Sequence, residues 1–385
     1  MRSIALATNQ RTAAGRAIMA RHFVKLRPGV KTFIEIALSS YEIGVYTAGT
    51  REYAEQIVLL LSRVLVGATC DQEDLDKLRD QVGEGKRELD SLNTRKKAKV
   101  SFNIPSVPES EQMTSQKLDE MKSKLSEAED LETKARALRR RLFGNRIISR
   151  TDVNDLGPNV KSLQRAFPCG GDMAVVVDDR EDVWANSADI AVKRRGEPPE
   201  NLLLVRPYHW APFQGCADVN NKAGVDLAKV FAGPTDTTFE DNSDKDIQLK
   251  WIGGILSRLH DRFFATQEES TSVGDVLQDM RKMVLSGAKV VLSGVVPLHQ
   301  QSEDYEGPRP AFRRYAESLG AAVVAEVKPD ITHIIAAKDH TEKVDMARRT
   351  NDLTCFIVKP SWIMESFWSL SRAIEVHHCW GNHTI

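Results

Sequence analysis

Two adjacent carboxylates follow a run of three valines: Val175, Val176 and Val177 lead into Asp178 and Asp179. A continuous β-branched run is the pattern of a strand buried on both faces. In an open α/β sheet, ligands sit beyond the carboxyl ends of such strands. Burying two carboxylates without a cation or a basic partner is costly, so the pair suits a hard cation such as Mg²⁺. A second short apolar run, Val45 and Tyr46, ends in Thr47, Gly49 and Thr50. A hydroxyl at that point suits a phosphate oxygen. Lys161 lies one helix and one loop before the aspartate strand, within reach of the same crevice.

The elements that must position these residues alternate. Residues 22–67 read as strand (HFVKL), turn (RPGV), helix (KTFIEIALSS), buried strand (YEIGVYT) and helix (REYAEQIVLLLSRVL), the order of βα units. From 71 to 142 the chain is dense in charge. Leu75, Leu78, Val82, Leu89 and Leu92 recur at roughly heptad spacing, as do Leu118, Met121 and Leu125. This predicts two long helices joined by the proline-containing loop SFNIPSVPES, with partial disorder the alternative at such charge density. The α/β pattern resumes at LFGNRIISR, followed by the helix KSLQRAF, the aspartate strand and LLLVRPY. Residues 218–246 read as loop, and KWIGGILSRLHDRFF and VGDVLQDMRKMVL as helices. From about 284 a last α/β module follows, with strands KVVLSGVV, AAVVAEV, THIIAA and TCFIVK and helices FRRYAESLG, TEKVDMARR and PSWIMESFW.

The bulk numbers exclude several classes. The 385 residues allow two or three domains, and 41% hydrophobic with 28% charged residues is ordinary globular composition. A net charge of −1 gives no global field for nucleic acid, and the basic runs at 95–99, 139–141 and 193–195 read as solvated faces. Five cysteines without CxxC spacing fit a reducing compartment. No apolar run reaches ~18 residues, so no membrane span is expected. His377, His378, Cys379 and His383 lack a second cluster to close a zinc site. Gly253–Gly254 is followed by no Lys-Ser/Thr, so it is no phosphate loop.

Together the strings LRPG, VYTAGTREYA, FGNRIISR, KSLQRAFP and VVVDDREDVWANS resemble the phosphatases of the RNA polymerase II carboxy-terminal domain, within the haloacid-dehalogenase superfamily. The last module, with LSG, LGA, THIIAA and Trp362, resembles a BRCT domain, and this order is that of the TFIIF-associating branch. The resemblance implies a haloacid-dehalogenase-like parallel sheet with a helical insertion, plus a small α/β BRCT domain. Its boundaries would be 1–215 for the phosphatase-like domain, 71–141 for the insertion, 216–283 for a connector and 284–385 for the BRCT domain.

The resemblance also implies roles. Thr47 would hold a phosphate oxygen, Lys161 would neutralise the phosphoryl group, Asp179 would ligate Mg²⁺, and Asp178 would order Lys161 and the metal site. Arg27 and Tyr41 would flank the substrate phosphoserine, though taken singly a turn cap and a core tyrosine are the commoner roles for them. In the BRCT module, Ser293, Gly294, Thr341 and Lys343 match a phosphopeptide pocket, while Thr341 alone reads as a helix cap and Trp362 as core. The expected activity is Mg²⁺-dependent serine/threonine phosphatase. The expected partners are the phosphorylated polymerase C-terminal domain and general transcription factors in the nucleus, with no direct nucleic acid and no membrane. One departure matters. The family's nucleophile and general acid stand in a DxDxT string ending its first strand, yet Met1 to Leu26 contain no Asp and no Glu. A hydroxyl or amide cannot form the acyl phosphate. The expectation is a chain that lacks that strand, by truncation or as an inactive relative, and turns nothing over as written.

Overall fold

A computed structural model of the chain describes residues 2–11, 15, 17–100, 109–153, 160–168, 170–185, 197–208, 246–266, 271–297, 300, 309–350 and 355–384. The loop expected at 218–246 lies almost wholly outside them, as does most of SFNIPSVPES. Two compact units divide the chain: Met1–Leu26 with Glu42–Asp152, and Arg27–Tyr41 with Val153–Ile385. This division runs differently from the boundaries read along the sequence, because the segment 27–41 packs with residues beyond 152.

In the first unit, β1 (Arg2–Arg11) and β2 (Ala17–Val24) form an antiparallel hairpin in which Ile4 faces His22. The segment HFVKL, expected to open a βα unit, instead supplies the end of this hairpin. Pairing with β1 satisfies the backbone groups that a lone strand would leave open. Helix α1 (Val30–Leu38) comes next in the chain but belongs to the second unit. Strand β3 (Val45–Tyr46) pairs in parallel with β4 (Ile147–Ile148). Helix α2 (Arg51–Val66) starts where the Thr50 hydroxyl accepts from Tyr53 N at 3.3 Å, and ends at Gly67 with φ 77°. Long helices α3 (Gln72–Val100) and α4 (Glu109–Leu142) stand where the leucine spacing predicts helices. Leu75, Val82 and Leu118 are buried. A Cβ on Gly85 would sit 3.0 Å from Leu118, so the missing side chain permits close approach there.

In the second unit α1 packs on α7 (Gln248–Ala265), and a Cβ on Gly253 would lie 3.3 Å from Ile36 Cδ1. That glycine of the Gly-Gly pair thus serves helix packing. Short helices α5 (Leu163–Ala166) and α6 (Asp182–Ala185) flank β5 (Val176–Asp178), which runs parallel to β6 (Leu202–Leu204). The triple valine does not make a strand buried on both faces: Val177 is 38% exposed. Among the described residues β5 pairs with β6 alone, and a two-stranded sheet has little flanking structure to cover it.

Helix α8 (Val273–Lys282), opened by a capping box between Ser272 and Asp275, leads into a five-stranded sheet of order β11-β10-β9-β7-β8. Its strands are β7 (Lys289–Ser293), β8 (Ala322–Val324), β9 (His333–Ala336), β10 (Phe356–Val358) and β11 (Cys379–Thr384), with only β11 antiparallel. Helices α9 (Ala311–Ser318), α10 (Glu342–Arg349) and α11 (Ser361–Ser369) flank it. Alternation along the strands feeds two cores. Val290, Leu292 and Ile335 join Tyr315 and Trp362 in one, and Val291 and Ile334 join Val344 and Ile357 in the other. No helix of the described residues is long and apolar enough to cross a membrane.

Candidate functional site

Lys161 is anchored before it acts. Its N–H donates to Val183 O at 2.8 Å, tying it to α6, and Ser162 caps α5 directly after it. The Lys161 ammonium then donates to Asp178 Oδ2 at 2.5 Å. The same oxygen accepts from Trp184 Nε1 at 2.9 Å, and Oδ1 accepts from the Arg180 N–H at 3.1 Å. The Lys161 and Asp178 side chains are 14% and 10% exposed. Asp178 is therefore held by one cation and two N–H donors, and orients Lys161. Asp179 forms no ion pair within 4.0 Å among the described residues. Its carboxyl is pushed up by partial withdrawal from water and by the charge of Asp178. The residue remains open to solvent, so the like charge is the firmer cause.

An arriving cation would relieve that repulsion, which fits Mg²⁺ at Asp179. No group of three or more His, Cys, Asp or Glu among the described residues could hold a metal. Mg²⁺ commonly keeps several waters and shares its shell with substrate phosphate.

Thr47 lies in the first unit, just past β3. Its N–H donates to Ile148 O at 2.9 Å, and its hydroxyl oxygen accepts from Gly49 N at 3.0 Å. A Cβ on Gly49 would be 2.6 Å from Tyr53 Cδ1, so this turn requires glycine. The Thr47 hydroxyl keeps a proton to donate. Arg27 and Tyr41 have structural partners. Arg27 grips Asp246 with two 2.8 Å bonds and donates to Arg206 O at 2.7 Å. Tyr41 donates to Leu256 O at 2.8 Å and packs edge-on against His260. Partial burial, and next the charge of Asp261, push its phenol up to about 12.

The four residues singled out in the last module converge. Ser293 and Thr341 share a hydroxyl hydrogen bond of 2.8 Å. Lys343 donates to Leu292 O at 3.1 Å, beside Ser293, and desolvation pushes its ammonium down. Gly294 takes φ 70°, and a Cβ there would meet Ala337 and Thr341 at 3.6 and 3.8 Å. Two hydroxyls and a lysine thus meet at the start of α10. Thr341 forms no side-chain cap bond to α10, so capping alone does not account for it. Sequence reasoning missed Trp184 as a donor to Asp178; its place six residues on, in a helical turn, was the available signal. It also missed β11, where the histidines drew attention from the strand.

Residues 6–94 match the model of the NLI interacting factor-like phosphatases, and residues 284–367 match the BRCA1 C Terminus (BRCT) domain. The chain is 30% identical over 229 residues to an RNA polymerase II C-terminal domain phosphatase of Caenorhabditis elegans, covering 58% of this chain and 30% of that protein. The like-named protein of Schizosaccharomyces pombe is 21% identical over 455 residues, covering 92% and 49%. This chain thus spans less than half of the length of these two relatives. The solved structure of an essential RNA polymerase II CTD phosphatase aligns over 98% of this chain and 85% of its own, with TM-score 0.56 and 22% identity. That likeness bears out the expected fold class: a haloacid-dehalogenase-like α/β architecture with a BRCT module. The resemblance read from the motifs holds in both halves.

Proposed function

We propose that this chain, which resembles the RNA polymerase II C-terminal-domain phosphatases and carries a BRCT domain, handles phosphoserine and phosphothreonine in the polymerase's phosphorylated C-terminal domain. The observation that carries this reading is Lys161 held on Asp178 directly beside Asp179. Phosphoryl transfer is mostly positioning and charge neutralisation. Lys161 neutralises the phosphoryl oxygens and Asp178 holds Lys161 in place. Asp179 would hold Mg²⁺, which when bound would supply positive charge to the phosphoryl oxygens. The attacking carboxylate is not among residues 1–26, so this chain as written performs no turnover. An assay with p-nitrophenyl phosphate and Mg²⁺ tests this. Activity that vanishes on Asp179→Ala would overturn it.

A second reading rests on Ser293, Thr341 and Lys343. The protein then acts as a scaffold whose BRCT module docks phosphorylated polymerase tail or a transcription factor, in the nucleus. Titration with a phosphorylated heptad-repeat peptide separates the readings. Loss of binding in Lys343→Ala supports docking by this module, whereas loss in Lys161→Ala alone supports the phosphatase half. Tighter binding of nucleotides than of phosphopeptide would reject a protein substrate.

A further inference from the structure

A cavity of about 250 Å³ in the second unit lies between the β5–β6 region and helices α8 and α9. Four cations and four glutamates line it, but they are not all paired with one another. Arg309 is gripped by Glu197 through two 2.9 Å bonds and by Glu317 at 3.0 Å. Arg314 donates to Glu181 at 2.9 Å, two residues beyond Asp179. Arg281 is different. It is 7% exposed and forms no ion pair among the described residues. Its terminal nitrogens donate to two backbone carbonyls, Glu200 O at 3.1 Å and Leu202 O at 2.5 Å. Its guanidinium carbon lies 5.2 Å from the Phe367 ring centroid. The Nε atoms of Arg281 and Arg314 are both buried and have no hydrogen-bond partner.

A buried guanidinium without a carboxylate is costly, and carbonyls and an aromatic face offset only part of that cost. Desolvation, and then the charge of Arg314, push Arg281 down to about 10, and the charge of Glu200 offsets only part of this. We propose that this cavity is an anion site, separate from Lys161 and from the BRCT quartet, that takes a phosphoryl group on Arg281 and Arg314. The planar guanidinium suits phosphate oxygens. The volume admits free phosphate or a phosphorylated side chain.

The test is calorimetric titration of the full chain with inorganic phosphate and, separately, with O-phosphoserine at constant ionic strength. Gln278 lines the same cavity without holding Arg281, so Gln278→Glu adds negative charge at little cost to folding. The expected result is at least a tenfold loss of phosphate affinity in Gln278→Glu and its abolition in Arg281→Met. The Gln278-sensitive binding should persist in Lys343→Ala. Tighter phosphoserine than phosphate identifies a phosphorylated side chain as the occupant, and the reverse order identifies free phosphate. Equal phosphate affinity in wild type and Gln278→Glu, or no millimolar binding in wild type, would overturn the proposal.

Discussion

Asp179 carries one charge too many for its surroundings, and this has a pH signature. A carboxyl pushed up in the folded state favours folding while protonated. That contribution is full below the ordinary carboxylate value near 4 and is lost as pH rises through the folded value. Replacing Asp179 by Asn should therefore raise the urea midpoint at pH 7, with the gain shrinking to nothing as pH falls below about 4. An unchanged midpoint at pH 7 would show that Asp179 is already relieved. His333 is the opposite case. It is buried, stacked on Trp362 at 4.3 Å, and burial with the charge of Arg372 pushes it down to about 4. Its stabilisation is present above the ordinary imidazole value of about 6.5 and lost as pH falls toward the folded value, on the order of 3 kcal/mol in all. His333→Phe, which keeps the stack, should flatten the stability profile between those limits. A profile as steep as wild type would assign the acid limb to other groups.

The elements depend on a few long-range fasteners. Helix α2 is tied to α4 by Arg63, which binds Glu132 with bonds of 2.7 and 2.9 Å; the side chains are 5% and 10% exposed. Breaking a buried pair leaves an uncompensated charge, so Glu132→Leu should cost about 3 kcal/mol or more. Adding Arg63→Met should recover most of that loss, and chemical denaturation of both variants measures it. No recovery in the double variant would mean that packing rather than charge sets the cost. Just past the end of helix α9 stands Gly320, whose φ is 92° and whose added Cβ would fall 1.9 Å from Lys282 O. Backbone cannot give way as a flexible side chain can. Gly320→Ala should destabilise the unit by on the order of 3 kcal/mol, visible as a lowered thermal midpoint.

At the scale of the molecule, the net charge of −1 leaves recognition to local cationic pockets rather than to a global field. At about 0.15 M salt the chain should retain phosphopeptide and release duplex DNA, and retention of DNA in a gel-shift experiment would contradict this. Much was legible beforehand. The valine run located the aspartates, the heptad leucines located α3 and α4, and Ser293, Thr341 and Lys343, singled out together, do lie together. These signals are local: periods of 2.0 and 3.6, and polar residues placed where a strand ends or a helix begins. Sequence alone therefore determined which side chains stand at those ends, and the resemblance they carry. Tertiary structure decided what only distant partners can decide. It set Trp184 on Asp178, bound Arg27 to Asp246, joined residues 27–41 to the second unit, made β11 a strand, and buried Arg281 with its Nε unpartnered. Such pairings bring together residues as far as 219 positions apart in the Arg27–Asp246 case, and their energies depend on burial and geometry that no local pattern encodes.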